Sequence, residues 1–520
     1  MRTEQLWSAE SNRLCLIVLT VAFPFVLIVN PLGYIGGGWD DWQYLMASRC
    51  WADHGACLPR THWEGRWPVF APIAAITSLL GESRTTVGLW PMLTSIAALV
   101  MIVLFGNRLA GRPAGWLAAL LFLFTPAFSI QILSPSVEAL ELALILAGLL
   151  AILQWREKRR VLLALLAGLA FGMAFQVRET SLIAIGLAGL YVVTQRPRLA
   201  DIIAAAAGFL APLAAEFIIY WLATGDPLFR RSLSLAHTRI PSVELLATVD
   251  PDKSPMFNRD YIANWRHEPG FKLHWLIDGF ANLFVNAKAG ISLMLTGVLL
   301  LMFPRQLDPA RRRLTVRLYG FAIFYAAILI YALAIDPKAR MMFVPLSASC
   351  LALALLILEL WRLDRRLLPG VAVGMHVLAG LSLLFIHQRT DVVEGPAARW
   401  MARFPGQIEI DPNTRRHLVL VPGAETLPGL ESEVTYWLNN NVSRCATFVG
   451  RGGLDDALEV VAEQPVSRFS LFSADRGGAL CLFRYRKPQS ADVIRSAIRR
   501  SRMDAPFLTD SAIYGESANR

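Results

Sequence analysis

The sequence predicts an all-α polytopic membrane protein of about 11 transmembrane helices, followed by a small extracytoplasmic α/β domain. Three observations predict it: apolar runs that recur at membrane-spanning length, sparse charge, and an uneven sharing of basic residues among the short loops. Of the 520 residues, 55% are hydrophobic and only 17% charged, and the mean hydropathy is +0.45. Soluble domains carry roughly 25% charged residues. The net charge of +10 would suit a nucleic-acid binder if the arginines formed one basic face. They fall instead in short clusters between apolar runs, which is a topological pattern and excludes nucleic acid as the expected partner.

Crossing a hydrocarbon core of about 30 Å takes about 20 apolar residues. Runs near that length lie at 14–34, 86–106, 113–131, 137–154, 161–176, 180–195, 201–223, 285–303, 315–335, 341–361 and 369–387. The first is longer than the apolar region of a signal peptide and runs into Gly36-Gly37-Gly38-Trp39, with no small-residue cleavage site, so it reads as a retained span. Alternate short loops carry Arg108 and Arg112; Arg156, Lys158, Arg159 and Arg160; Arg196 and Arg198; Arg305, Arg311, Arg312, Arg313 and Arg317; and Arg362, Arg365 and Arg366. Those sixteen face only three on the opposite side, Arg178, Lys338 and Arg340. The bias makes the N-terminus cytoplasmic and puts loops 35–85 and 224–284, with the C-terminal region, outside. It also settles Pro68–Leu80, which is apolar but only 13 residues long. If that stretch spanned, every later basic loop would face outward, so it is expected as a surface helix. A second one, carrying Trp42, Leu45, Met46 and Cys50 at helical spacing, precedes it.

Three domains follow: 1–388 as the transmembrane part, 389–487 as the outer α/β domain, and 488–520 as a basic, flexible tail. In the outer domain Arg416–Val421, Ala446–Gly450, Arg468–Phe472 and Ala479–Arg484 read as strands, and Glu431–Asn440 and Leu454–Glu463 as helices. Cys15 and Cys350 fall in spans, where they act as small apolar residues. Cys50, Cys57, Cys445 and Cys481 all fall outside, in two local pairs that suggest disulfides in an oxidising compartment; unpaired thiols are the plain alternative.

No P-loop, dinucleotide fingerprint, His-Glu-x-x-His or Gly-x-Ser-x-Gly is present. Chemistry outside the membrane would therefore need a substrate already activated there. The first outer loop offers Asp40-Asp41-Trp42-Gln43-Tyr44, two adjacent carboxylates at the membrane surface. Burying either costs several kcal/mol unless it is paired, and capping the surface helix is the competing structural role. Arg66-Trp67-Pro68, Arg178-Glu179 and Asp336-Pro337-Lys338-Ala339-Arg340 place cations on the sparsely basic side. Snorkelling anchors explain one such arginine well. Several together suit a phosphate better.

These residues resemble the GT-C glycosyltransferases, in particular protein O-mannosyltransferases and lipid A aminoarabinose transferases. Members open with a span and an outer Asp-(Glu/Asp)-x-x-Tyr, matched by Asp40, Asp41 and Tyr44. A Lys/Arg-x-Pro entering an apolar surface helix is matched by Arg66-Trp67-Pro68, and a late basic residue shortly before Pro by Arg340 and Pro345. Thr224-Gly-Asp-Pro-Leu-Phe-Arg230 also looks like bacterial members. The resemblance covers roughly 10–390. It implies transfer of a sugar from a polyprenyl-phosphate donor to an acceptor hydroxyl on a glycan, lipid or protein, with inversion, at a periplasmic site of a bacterial inner membrane. In that chemistry a carboxylate deprotonates the acceptor and cations take the departing phosphate. Asp40 is the expected base, with Asp41 sharing or orienting it, and Arg66, Arg178, Lys338 and Arg340 are the expected donor phosphate ligands. Tyr44 and Glu138 are supporting candidates, Glu138 serving as a second acid or as a helix cap. No cofactor is required by this reading, and divalent-metal use stays open; His237, His267 and His274 lack the tight spacing of a metal site. The rival readings are a lipid flippase or secondary transporter, which would place charges near the midplane and show internal repeats, and a non-catalytic assembly subunit.

Overall fold

The structure, a computed structural model, describes residues 20–27, 39–55, 57–236, 275–286, 289, 291–303, 307–333, 339–387, 391–405, 407–410, 414, 418, 435–442, 445–451, 454–465 and 479–487. The chain divides into two compact units, Met1–Gln388 and Arg389–Arg520.

Residues 20–27 of the first unit are helical. The labelled helices that follow are α1 (Trp39–His54), α2 (Trp67–Leu80), α3 (Arg84–Ala110), α4 (Arg112–Leu123), α5 (Pro126–Gln131), α6 (Glu138–Lys158), α7 (Val161–Val177), α8 (Leu182–Thr194) and α9 (Leu199–Thr224). After them come α10 (Phe229–Ala236), α11 (Trp275–Val285), α12 (Ser292–Met302), α13 (Pro309–Ala327), α14 (Phe343–Arg362) and α15 (Leu367–His387). By length and composition, five helical stretches among the described residues could cross a membrane: Arg84–Ala110, Glu138–Lys158, Leu199–Thr224, Pro309–Ala332 and Ala339–Arg362. Three of the other expected spans are shortened or interrupted. The run at 113–131 breaks at Phe124–Thr125, where Pro126 opens a new helix and Thr125 is its extended N-cap. The run at 180–195 begins with a 3₁₀ turn, Glu179–Ser181. The run at 285–303 is only the helix Ser292–Met302, preceded by the separate α11. Most of 14–34 and of the loop 224–284, together with Lys338, the three loop histidines and the tail, lies outside the described residues.

Helix α9 shows why this unit belongs in an apolar medium. Its buried positions are Asp201, Gly208, Pro212, Glu216 and Tyr220, one stripe that includes its two acids. Leu199, Ile202, Ile203, Leu210, Phe217, Ile218, Ile219, Trp221 and Leu222 are exposed. A water-facing helix would present the reverse pattern. The stripe packs on α7 at very close range. A Cβ added at Gly168 would overlap the Ala205 carbonyl, and one at Gly208 would overlap that of Leu165, so small residues are what let the two backbones meet.

Helices α1 and α2 pack against each other and share a cluster of Tyr44, Ala47, Val69, Phe70, Val137 and Val177, fringed by Trp51, Trp63 and Trp67. A disulfide joins Cys50 in α1 to Cys57 in the connecting loop, and Trp51 Nε1 donates to the Cys57 carbonyl at 3.2 Å.

The second unit holds α16 (Asp391–Arg403), β1 (Ile408–Ile410), β2 (Tyr436–Val442), α17 (Cys445–Arg451), β3 (Leu458–Pro465) and β4 (Ala479–Tyr485). The sheet order is β1-β2-β4-β3, with β1 parallel to β2 and the other pairs antiparallel. Ala397 of α16 shares one apolar cluster with Ile408, Ile410, Leu438, Leu480 and Leu482. Cys445 and Val449 of α17 share another with Trp437, Cys481 and Phe483. Alternate residues of β2 and β4 thus serve two layers, and a disulfide ties Cys445 to Cys481. Three elements differ from the sequence expectation. Glu431–Asn440 was expected as a helix, but its described part belongs to β2, whose Trp437 and Leu438 pair with Phe483 and Leu482 of β4. Leu454–Glu463 contributes a turn and β3 in place of a helix, because Leu458 and Val460 pair with Tyr485 and Phe483. Ala446–Gly450 lies in α17, not in a strand. Long-range pairing overrides local propensity in each strand.

Candidate functional site

Five helix ends bring the candidate residues to one place. Asp40 and Asp41 occupy the first turn of α1, and Tyr44 follows one turn later. Arg66 is the N-cap residue of α2. Glu138 opens α6, Arg178 ends α7, and Arg340 lies in the 3₁₀ turn Ala339–Met342 that leads into α14.

Asp40 and Arg340 meet across 300 residues of sequence, Arg340 Nη2 donating to Asp40 Oδ2 at 2.9 Å. Their side chains keep 18% and 25% of their surface exposed, so the pair can be reached from outside. Asp41 is buried and accepts a hydrogen bond from Ser134 Oγ at 3.2 Å. Arg66 Nη1 donates to the Tyr44 hydroxyl at 2.8 Å. Burial pushes the Tyr44 phenol above its ordinary range despite Arg66. Burial works against the charge on Arg66, but Tyr44, Glu179 and Asp40 outweigh it and raise the guanidinium's pKa. Arg66 is therefore a firmly charged, buried cation bonded to Tyr44, which lies one helical turn along α1 from the two aspartates.

Glu138 is only 3% exposed. It makes no hydrogen bond or ion pair among the described residues, and it is the first residue of α6, whose N-cap is Val137. Its charge is felt by Tyr44, Glu141 and Arg340.

Arg178 is differently placed from what a phosphate ligand requires. Its side chain is 7% exposed and pairs with Glu141, 4% exposed, at 3.4 Å. Arg178 Nη2 also meets Met341 Sδ at 2.8 Å, and Thr180 Oγ1 donates to the other Glu141 oxygen at 3.2 Å. Sequence reasoning passed over Glu141. Its signal was an acid three residues after Glu138 in an apolar run, which is costly in a span unless paired. Glu216 and Gln176 were missed as well. Both meet Arg230, whose guanidinium also takes Glu179 at 2.8 Å. Glu216 carried the same signal as Glu141. Ser134 carried none. Among the described residues no three His, Cys, Asp or Glu gather in a group that could hold a metal ion.

No curated protein matches the chain in sequence. Among solved structures, ArnT from Cupriavidus metallidurans in the apo state is similar at 12% identity and a TM-score of 0.44, over 92% of this chain and 98% of that one. The same protein bound to undecaprenyl phosphate gives 12% and 0.42, over 90% and 97%. The Archaeoglobus fulgidus oligosaccharyltransferase in the apo form gives 13% and 0.42, over 82% of this chain and 69% of that one. The family match is more specific. The resemblance to the GT-C glycosyltransferases is borne out by residues 68–221, which match the family model described as dolichyl-phosphate-mannose-protein mannosyltransferase; of the motifs that suggested it, only Pro68 falls inside the matched stretch.

Proposed function

We propose that this chain is an integral membrane glycosyltransferase that moves a sugar from a polyprenyl-phosphate donor to an acceptor hydroxyl, with inversion, on the extracytoplasmic face of a bacterial inner membrane. The observation that carries the proposal is the reachable Asp40–Arg340 contact, with Tyr44 one turn along α1 and Arg66 bonded to it. Asp40 takes the proton of the acceptor hydroxyl as that oxygen attacks the anomeric carbon from the face opposite the phosphate. The bond from the anomeric carbon to the phosphate oxygen breaks, its electron pair leaves with the lipid phosphate, and Arg340 and Arg66 hold the new charge. Before the donor binds, Asp40 and Arg340 neutralise one another. A bound phosphate competes for Arg340 and frees Asp40 to accept a proton. Asp41, fixed by Ser134, and Glu138 shape the field around the pair. The leaving group comes with the donor, so the reading requires no nucleotide. A cavity of about 270 Å³ between α3, α6, α8, α13 and α14, lined by Ile145, Leu146, Ala184, Leu187 and Val344 among others, has the apolar character an isoprenoid chain would require.

Arg340→Ala is expected to weaken polyprenyl-phosphate binding as well as turnover, whereas loss of a pure base would spare binding. Equal donor affinity in wild type and Arg340→Ala would remove Arg340 from the phosphate site. Orientation follows from the basic loops. A periplasm-active reporter fused after residue 400 should be active and one near Arg159 silent; the same result at both positions contradicts the assigned sides.

A further inference from the structure

Arg230 is the second residue of α10, and only 11% of its side chain is exposed. Nη2 donates to Glu179 Oε1 at 2.8 Å and to the Gln176 carbonyl at 3.0 Å. Nη1 donates to the Gln176 side-chain oxygen and to Glu216 Oε1, the latter at 3.3 Å. One guanidinium thus clasps the end of α7, the 3₁₀ turn after it, and α9, a use of the planar fork that a lysine cannot reproduce.

Two routes lead from this clasp to Arg66. Along the backbone, the methylene stem of Arg230 lies against Gly65: a Cβ there would stand 3.5 Å from Arg230 Cγ and 3.8 Å from Cδ. Gly65 directly precedes Arg66. Through charge, the second Glu179 oxygen faces Arg66 Nη2 at 4.0 Å. Glu179 is therefore in hydrogen-bonding contact with Arg230 and stands off from Arg66. The four charges of Arg66, Glu179, Arg230 and Glu216 balance. Without Arg230, Glu216 would be left buried with no cation, and Glu179 would be free to close on Arg66 and neutralise it.

We propose that Arg230 is a positioning residue for Arg66: it holds the Gly65–Arg66 backbone and restrains Glu179, so that the Arg66 charge stays available beside Tyr44. What Arg66 then binds rests on the proposed function; the positioning itself does not.

The test uses the full chain in lipid nanodiscs with undecaprenyl phosphate as probe. Arg230→Ala should bind the probe about tenfold more weakly, and Arg66→Ala/Arg230→Ala no more weakly than Arg66→Ala alone, because the two residues act through one contact. Adding Glu179→Gln to Arg230→Ala should restore part of the affinity, since the freed carboxylate is gone. Backbone hydrogen exchange across residues 60–70 should accelerate in Arg230→Ala and less so in Arg230→Lys. Additive losses in the double variant, or no rescue by Glu179→Gln, would overturn the proposal. If wild type fails to bind the probe, the proposed function falls, and the exchange of residues 60–70 alone decides the positioning: unchanged exchange in Arg230→Ala refutes it. If Arg230→Ala does not fold, Arg230→Lys carries the same exchange test, with wild-type exchange the refuting result.

Discussion

Asp40→Asn is expected to cut sugar transfer by about 10²–10⁴ while leaving folding and donor binding close to wild type. The substitution keeps the volume of the side chain and an oxygen that can accept from Arg340 Nη2, now at 2.9 Å. It removes the charge and the ability to take a proton. If the Asp40–Arg340 contact were only a partly exposed ion pair, its loss would cost on the order of 1 kcal/mol of stability or less and no more than a few-fold in rate. The two roles therefore differ by orders of magnitude in turnover, and a transfer assay with a parallel melting curve separates them. Wild-type transfer in Asp40→Asn would pass the role of base to Asp41. Activity in both single variants and in the double variant would remove this loop from the chemistry.

Arg178→Ala is expected to act on stability. Arg178 and Glu141 are both buried, at 7% and 4% side-chain exposure. Removing the guanidinium leaves a carboxylate inside the bundle without its cation, a loss of about 3–5 kcal/mol for pairs of this kind. Arg178→Ala/Glu141→Gln should recover much of that loss, because the orphaned charge is gone. Thermal unfolding in detergent, monitored by tryptophan fluorescence, checks both variants. An Arg178→Ala protein that melts like wild type but binds lipid phosphate poorly would return Arg178 to the donor site.

The parts of the molecule readable from sequence were those encoded by strong, one-dimensional signals. Apolar length and loop charge outlined the helices. The Asp40-Asp41-Trp-Gln-Tyr44, Arg66-Trp-Pro68 and Arg340 segments, noted for the residue types they combine, come together at one end of them. What stayed hidden depends on three-dimensional neighbours. Nothing local shows that Arg178 would be claimed by Glu141, or that Ser134 would reach Asp41. The acids in α6 and α9 were visible as anomalies, but their partners lie 37 and 14 residues away on other elements. In the second unit β2 and β3 follow long-range pairing to β4, which Asn439–Asn441 and the Glu- and Ala-containing 459–463 do not advertise. The break at Phe124–Thr125, by contrast, lies inside the run 113–131 that reads as one span, although Pro126 is a local signal for it.

The central claim is that a sugar leaves a polyprenyl phosphate at the Asp40–Arg340 pair. Native mass spectrometry of the lipid that co-purifies with the Asp40→Asn protein from its own membranes tests it most directly. A variant that binds donor but cannot activate the acceptor should retain a polyprenyl phosphate bearing its sugar, and Asp40→Asn/Arg340→Ala should lose it. Retention of bulk phospholipid alone, with no polyprenyl-phosphate species in Asp40→Asn or in wild type, would contradict the account.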